Sequence, residues 1–234
     1  MRATVLAWGV HAYTALGLAC AAGMAVLIVR GDDQSFRLAF ALMILATAID
    51  ATDGWLARRA RVGEVLPQFD GRRLDDIIDF QTYTALPLLL VWRAGLVPDA
   101  WAAWLVVPLA ASAYGFCQAD AKTDDDFFLG FPSYWNVVAF YLYVFRLPHP
   151  WTLAVLLVLA FLTFVPTRYL YTSRAGRWST PTNIAGGAWA VALLVILWQW
   201  RDAPRWLAVA SLGFPVYYMV LSWAISIGRW RRNA

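Results

Sequence analysis

The sequence predicts an all-α polytopic membrane protein of about eight transmembrane helices. Three observations carry that expectation. Hydrophobic residues make up 61% of the 234-residue chain, and its mean hydropathy is +0.56. Charged residues make up only 15%, where a soluble domain carries about a quarter. Several apolar runs reach the roughly 20 residues that a helix needs to cross a bilayer. A single integral-membrane domain over 1–234 uses the whole chain and leaves no room for a second soluble one.

The elements follow from apolar runs and the residues that punctuate them. A first helix over 5–29 stops at Arg30 and Gly31. Its apolar run is too long for the core of a signal peptide, and no small-residue cleavage pattern follows it, so a cleaved leader is not expected. A second helix over 37–58 stops at an arginine cluster and is followed by a connection holding Pro67 and Gly71. The third, 74–93, ends at Arg93 ahead of Pro98, and the fourth spans 100–118. The fifth, 132–146, lies between Gly130 and Pro148 and is short for a span, which suggests tilt, partial re-entry or different bounds. The sixth covers 150–171, the seventh 183–200 after Gly176 and Pro181, and the eighth 205–228 after Pro204. Cys20 and Cys117 lie inside apolar runs as small packing residues, with no disulfide framework or zinc spacing.

Eight spans put both termini on one side. That side carries Arg2, Arg58, Arg59, Arg61, Arg72, Arg73, Lys122, Arg168, Arg174, Arg177, Arg229, Arg231 and Arg232, which is 13 of the 19 basic residues. Lys and Arg concentrate in cytoplasmic loops. Both termini and the connection after the second helix are therefore expected to face the cytoplasm. A pI near 9.3 then reflects topology and anionic lipid rather than nucleic acid.

That connection is flanked by carboxylates. Asp50 and Asp53 are spaced i,i+3 at the end of the second helix, and Asp75 and Asp79 are spaced i,i+4 at the start of the third. Residues at these spacings share a helix face, so the two pairs can meet across a helix–loop–helix hairpin as one acidic cage. Carboxylates at a bilayer edge are costly and mark cation, proton or chemical sites. An all-oxygen donor set suits Mg²⁺ or Mn²⁺, and four carboxylates allow two ions, an arrangement suited to phosphoryl chemistry. Gly54 leaves the backbone open to a ligand, and Arg58, four residues on, is placed to pair with a phosphate. Two other readings stand beside this one. The aspartates can pair with Arg58, Arg72 and Arg73 as a structural cluster, or serve a cation-coupled transporter. Asp76 is read as solvent-facing or as supporting the cage.

Asp50-x-x-Asp53-Gly54-x-x-Ala57-Arg58, followed by Gly71-x-x-x-Asp75-x-x-x-Asp79, resembles the signature of the CDP-alcohol phosphotransferases. These are membrane enzymes that move a phosphatidyl or similar group from a CDP-linked donor to an alcohol and release CMP. The resemblance covers the signature hairpin, 48–80, and implies a six-helix catalytic core. It implies that Asp50, Asp53, Asp75 and Asp79 hold one or two divalent metals, with Asp79 also the general base. It implies that Gly54, Ala57, Arg58 and Gly71 form the nucleotide and pyrophosphate floor, and it suggests a homodimer. One departure is the connection: 12 residues separate Arg58 from Gly71, so the loop over 63–70 is expected to differ from most of the family.

The stretch FFLGFPSYWNVVAFY, 127–141, and the run LDDIIDFQTY, 74–83, look like those of the bacterial members that join CDP-diacylglycerol to free choline. The resemblance thus implies choline as acceptor, with serine, inositol or a glycerol phosphate as the alternatives. A quaternary ammonium has no N–H and is held by aromatic faces and carboxylates. Tyr83, Tyr134, Trp135 and Asn136 are the candidate choline residues. Most aromatics in a chain with 14 Trp are packing or interfacial groups, and Asn136 or Ser133 can equally cap a helix. Arg168, Arg174 and Arg177 are a phosphate site or topology anchors. Asp124, Asp125 and Asp126 attract a cationic acceptor or form a solvated turn. His11 and His149 show no partner pattern, and His149, between Pro148 and Pro150 in an outward loop, is given no chemical role.

Overall fold

The computed structural model describes residues 1–118, 127–170 and 176–233. The chain divides into two compact units, Met1–Ala102 with Tyr134–His149, and Ala103–Ser133 with Pro150–Ala234. The fold is helical almost throughout, as expected of an all-α polytopic membrane protein.

In the first unit, α1 (Arg2–Arg30) and α2 (Asp33–Arg59) form a long antiparallel hairpin. The turn is built by two residues. Gly31 takes the left-handed conformation (φ 74°) and its N–H bonds back to the Leu27 carbonyl, the usual glycine stop. Asp32 then caps α2, accepting from the Ser35 backbone N–H at 2.9 Å and its hydroxyl at 2.6 Å. Those bonds, the hydroxyl's foremost, hold the Asp32 carboxyl below its ordinary range. The buried face of α2 runs through Ala39, Phe40, Met43, Ala46, Ile49 and Asp53, at spacings of three and four as an amphipathic helix requires.

The connection after α2 contains a single-turn helix, α3 (Val62–Val65). Val62 and Leu66 bury against Ala7 and Val10 of α1, so the loop expected to be distinctive is a packed element. Next come α4 (Gly71–Asp79), a π-helical turn (Phe80–Ala85) and α5 (Leu86–Arg93). The third expected helix is therefore continuous but irregular. Pro87 gives the reason: it lacks an N–H, and its ring crowds the carbonyl four residues back, at Tyr83. The chain relaxes into wider bonding, with the Leu86 N–H reaching the Gln81 carbonyl. At the far end of α5, Arg93 donates to the Val29 and Arg30 carbonyls (3.3 and 3.4 Å) and caps α1. The unit is completed by α7 (Trp135–Phe145), whose Phe140 and Tyr143 pack on Phe40.

The second unit holds a 3-10 turn running into α6 (Val106–Cys117), then α8 (His149–Leu162), α9 (Gly176–Gln199), α10 (Arg205–Ser211) and α11 (Gly213–Asn233). It also holds two short strands, β1 (Phe127–Leu129) and β2 (Arg168–Leu170), paired antiparallel with Phe127 opposite Leu170. This corrects the sixth expected helix: it stops at Leu162, and 168–170 is strand. Pro166 again acts four residues back. The backbone of β2 finds side-chain partners on α11. Ser226 and Ser222 accept from the Arg168 and Leu170 N–H groups (2.8 and 3.2 Å), and the Tyr218 hydroxyl donates to the Leu170 carbonyl (3.0 Å). The eighth expected helix is likewise broken, at Leu212, just after the residue four before Pro215.

Among the described residues, five helices are long and apolar enough to cross a membrane: Arg2–Arg30, Asp33–Arg59, Asp99–Cys117, Ser179–Asp202 and Arg205–Gly228. The apolar α7 and α8 are shorter, at 11 and 14 residues. At 1.5 Å per residue they reach about 16 and 21 Å, less than the roughly 30 Å hydrocarbon core.

Candidate active site

The site is assembled in the first unit from α2, α4 and the π turn. Thr47 and Asp50 lie three residues apart on one face of α2. Asp70 caps α4 by accepting from the Arg73 N–H at 3.0 Å, which sets the helix that presents Asp75 and Asp79 one turn apart. Carboxylate oxygens of Asp50, Asp75 and Asp79 all lie within 4.8 Å of one another, and all three residues are half-buried. Like charges at that range repel by about 3 kcal/mol per pair at an effective dielectric near 20. A convergent set of hard, anionic oxygens is the donor chemistry that Mg²⁺ and Mn²⁺ take, so these residues fit the metal that the signature implies.

Asp53 is placed differently. It lies outside this three-carboxylate group, is buried, and accepts from the Thr14 hydroxyl of α1 at 2.8 Å. Arg58 is exposed and its guanidinium lies over Gly54, 3.4 Å from where a β-carbon would stand. Ala57 packs on the Ala7, Val10, Val62 and Leu66 cluster. At Gly71 a β-carbon would run into the His11 ring, so the missing side chain there permits close approach of α1 to the start of α4. Arg73 pairs with Asp70 at 3.9 Å, and Asp76 is half-buried outside the three-carboxylate group.

The aromatic side of the cage is formed by the π turn and α7. The buried Tyr83 donates its hydroxyl to Asp50 Oδ2 at 2.7 Å. Its ring lies 6.3 Å from that of Tyr134. Asn136 donates to Thr47 Oγ1 at 3.3 Å and accepts from the Val137 N–H at 2.9 Å. Tyr83, Tyr134 and Asn136 thus gather on the Asp50 side of α2, while Trp135 is fully buried. The residue before α7 is Tyr134, and its side chain makes no capping bond.

No protein-family model matches the chain. Curated relatives do. A phosphatidylcholine synthase of Pseudomonas aeruginosa is 41% identical over 202 residues, covering 85% of this chain and 83% of the relative. One of Legionella pneumophila is 35% identical over 229 residues, covering 92% and 87%. One of Rhizobium johnstonii is 33% identical over 224 residues, covering 94% and 90%. The chain belongs to the phosphatidylcholine synthase family.

For a member of that family, sequence reasoning overlooked three polar groups near the cage. Thr14 holds Asp53. Thr47 links Asn136 to α2 and donates to the Met43 carbonyl at 2.9 Å. His11, which shows no partner pattern in the sequence, is 6% exposed, wedged against Phe69 with ring centroids 4.4 Å apart. His11 and Thr14 are polar, three residues apart and inside the long apolar run of α1, and that was the available signal. Of the other residues named from the sequence, Arg168 lies in β2, while Lys122, Arg174 and the aspartates at 124–126 fall outside the described residues.

Proposed function

We propose that this chain transfers the phosphatidyl group of CDP-diacylglycerol to choline, releasing CMP. The observation that carries the reading is the meeting of Asp50, Asp75 and Asp79 within 4.8 Å in a chain alignable over most of its length with phosphatidylcholine synthases. The choline hydroxyl attacks the phosphorus that bears diacylglycerol. A new P–O bond forms to choline, and the P–O bond to CMP breaks with its electron pair leaving on CMP. Asp79 takes the hydroxyl proton, the task of a carboxylate within reach of the nucleophile. Asp50, Asp53, Asp75 and Asp79 are the residues proposed to hold Mn²⁺ or Mg²⁺, as two ions. When bound, such cations neutralise pyrophosphate charge and stabilise the departing CMP. Gly54, Ala57, Arg58 and Gly71 bind the nucleotide end, Arg58 through a phosphate. Tyr83, Tyr134 and Trp135 receive choline through aromatic faces, and Asn136 orients its hydroxyl.

The same proposal includes one catalytic domain over 1–234 with eight spans and a six-helix core, in a bacterial inner membrane. Both termini and the cage face the cytoplasm, where choline and CMP exchange, while lipid tails enter from the bilayer. A homodimer is the proposed assembly.

Membranes containing the chain, CDP-diacylglycerol, Mn²⁺ and labelled choline test this reading. Label should enter phospholipid and should be lost with EDTA. CMP release only with serine, inositol or a glycerol phosphate would overturn the acceptor and keep the family. No turnover with any alcohol, in folded protein, would sink the reading.

A further inference from the structure

We propose that Tyr83 is a positioning residue whose phenol, presented by the π-helical turn, holds the Asp50 carboxylate in the arrangement that meets Asp75 and Asp79. The inference rests on the metal reading given above. It departs from the sequence-based assignment of Tyr83, which concerned only its ring and choline.

The geometry has three parts. First, the Tyr83 hydroxyl donates to Asp50 Oδ2 at 2.7 Å, and Tyr83 is 8% exposed. A hydrogen bond from O–H to a carboxylate at this length belongs to the strong, charge-assisted class, and burial keeps water from competing for it. Second, the bond comes from a π-helical turn, Phe80–Ala85, that begins directly after Asp79. Such turns are rare and concentrate at functional sites. Here the cause is Pro87, so the distortion is written into the sequence. Third, two consecutive elements deliver groups to Asp50: α4 ends on Asp79, which joins the carboxylate cluster, and the π turn that follows supplies Tyr83, which binds Asp50 from the side.

Asp50 needs such a partner. It stands on α2, whereas Asp75 and Asp79 share α4, so its position in the cluster depends on its own rotamer. Repulsion from the two other carboxylates favours rotating it away when no cation is bound. A donor fixed to one of its oxygens opposes that rotation and keeps the cluster ready for a cation. Hydrogen-bond partners of metal ligands commonly set affinity by about 10- to 100-fold.

Tyr83→Phe separates the phenol from the ring. Full-length protein in detergent is titrated with Mn²⁺, with neither nucleotide nor choline present, and free Mn²⁺ is read by electron paramagnetic resonance. Tyr83→Phe should raise the Mn²⁺ dissociation constant about tenfold or more and raise the Mn²⁺ requirement of turnover by the same factor. In an Asp50→Asn background, Tyr83→Phe should add no further weakening, the signature of two residues acting through one contact. Thermal unfolding without metal checks that each variant is folded. A wild-type Mn²⁺ titration in folded Tyr83→Phe protein overturns the inference. A raised choline KM with unchanged Mn²⁺ binding does the same and confines the phenol's role to choline. If the wild-type chain takes up no Mn²⁺ at all, the metal reading itself fails and this inference falls with it.

Discussion

The acidic hairpin and the strand ribbon are both built where helices were expected to end, yet only one followed the pattern of its own segment. In the hairpin, Asp50, Asp75 and Asp79 sit at helical spacings on two neighbouring helices, and the structure brings them within 4.8 Å. In the ribbon, residues expected to extend the sixth helix leave it and pair with β1, about 40 residues earlier. The difference teaches that local periodicity locates side chains within an element, while pairing between distant segments needs a partner that periodicity does not name. In the hairpin the partner is α4, which follows α2 after the single turn of α3. In the ribbon, partners come from β1 and, through Ser222, Ser226 and Tyr218, from α11.

The largest effect belongs to the hairpin. Asp79→Asn keeps the shape of the side chain and removes its basicity. General-base assistance contributes about 10²- to 10⁴-fold, so turnover of labelled choline should fall by that factor while the protein stays folded. Full turnover in Asp79→Asn would leave the carboxylate cluster as a structural feature, and the comparison would lose its functional side.

The next effect belongs to the ribbon. Gly130 takes φ 80°, and a β-carbon there would collide with the Thr163 carbonyl. Its N–H also bonds to the Thr167 carbonyl at 2.9 Å. Gly130→Ala should therefore destabilise the second unit by about 1–3 kcal/mol from backbone strain alone, more with the collision. Thermal unfolding in detergent measures this. An unchanged melting temperature would mean that the ribbon is not held as described.

Much of what the sequence left unread is proline chemistry. The punctuation used to bound the helices passed over Pro87, Pro166 and Pro215. Each removes an N–H and crowds the carbonyl four residues back. Those positions are Tyr83 inside the π turn, Leu162 at the end of α8, and Ser211 at the end of α10. Pro108 obeys the same offset: four residues back is Trp104, in the 3-10 turn (Asp99–Leu105) that runs into α6. The four-residue offset was legible, and applying it would have distorted the third helix and ended the sixth and eighth runs where the structure does. The partners of Asp53 and Asp50 were less accessible. Thr14 is 39 residues from Asp53, and Tyr83 is 33 from Asp50. Spacing along one helix shows which residues share a face, but not which neighbour that face meets.

Asp53 sharpens this point with a smaller effect. It follows Asp50 by three residues, so periodicity alone groups the two, yet α1 takes hold of Asp53 through Thr14. Thr14→Val keeps the side-chain shape and removes a donor to a buried carboxylate. Hydrogen bonds to charged groups contribute about 1.5–3 kcal/mol, so the first unit should lose stability in that range. Asp53→Asn in the Thr14→Val background should restore part of it, because a neutral amide tolerates the lost donor better than a carboxylate. If Thr14→Val melts like wild type, Asp53 is held by its other neighbours, and its separation from the three-carboxylate group loses its physical cause.

The smallest effect returns to the ribbon. Ser222→Ala removes the acceptor of the Leu170 N–H, a bond of 3.2 Å, and a neutral hydrogen bond is worth about 0.5–1.5 kcal/mol. Leu170 is 2% exposed, so that N–H has no ready access to water as a substitute. Ser222→Thr keeps the hydroxyl and should melt closer to wild type than Ser222→Ala. The pair of variants therefore tests whether α11 serves β2 as a hydrogen-bonding edge or merely as apolar cover. Equal melting temperatures for Ala and Thr would favour apolar cover. A lower value for Ala alone would establish that this strand persists because side chains from a helix complete its backbone bonding, a dependence that no spacing within 168–170 encodes.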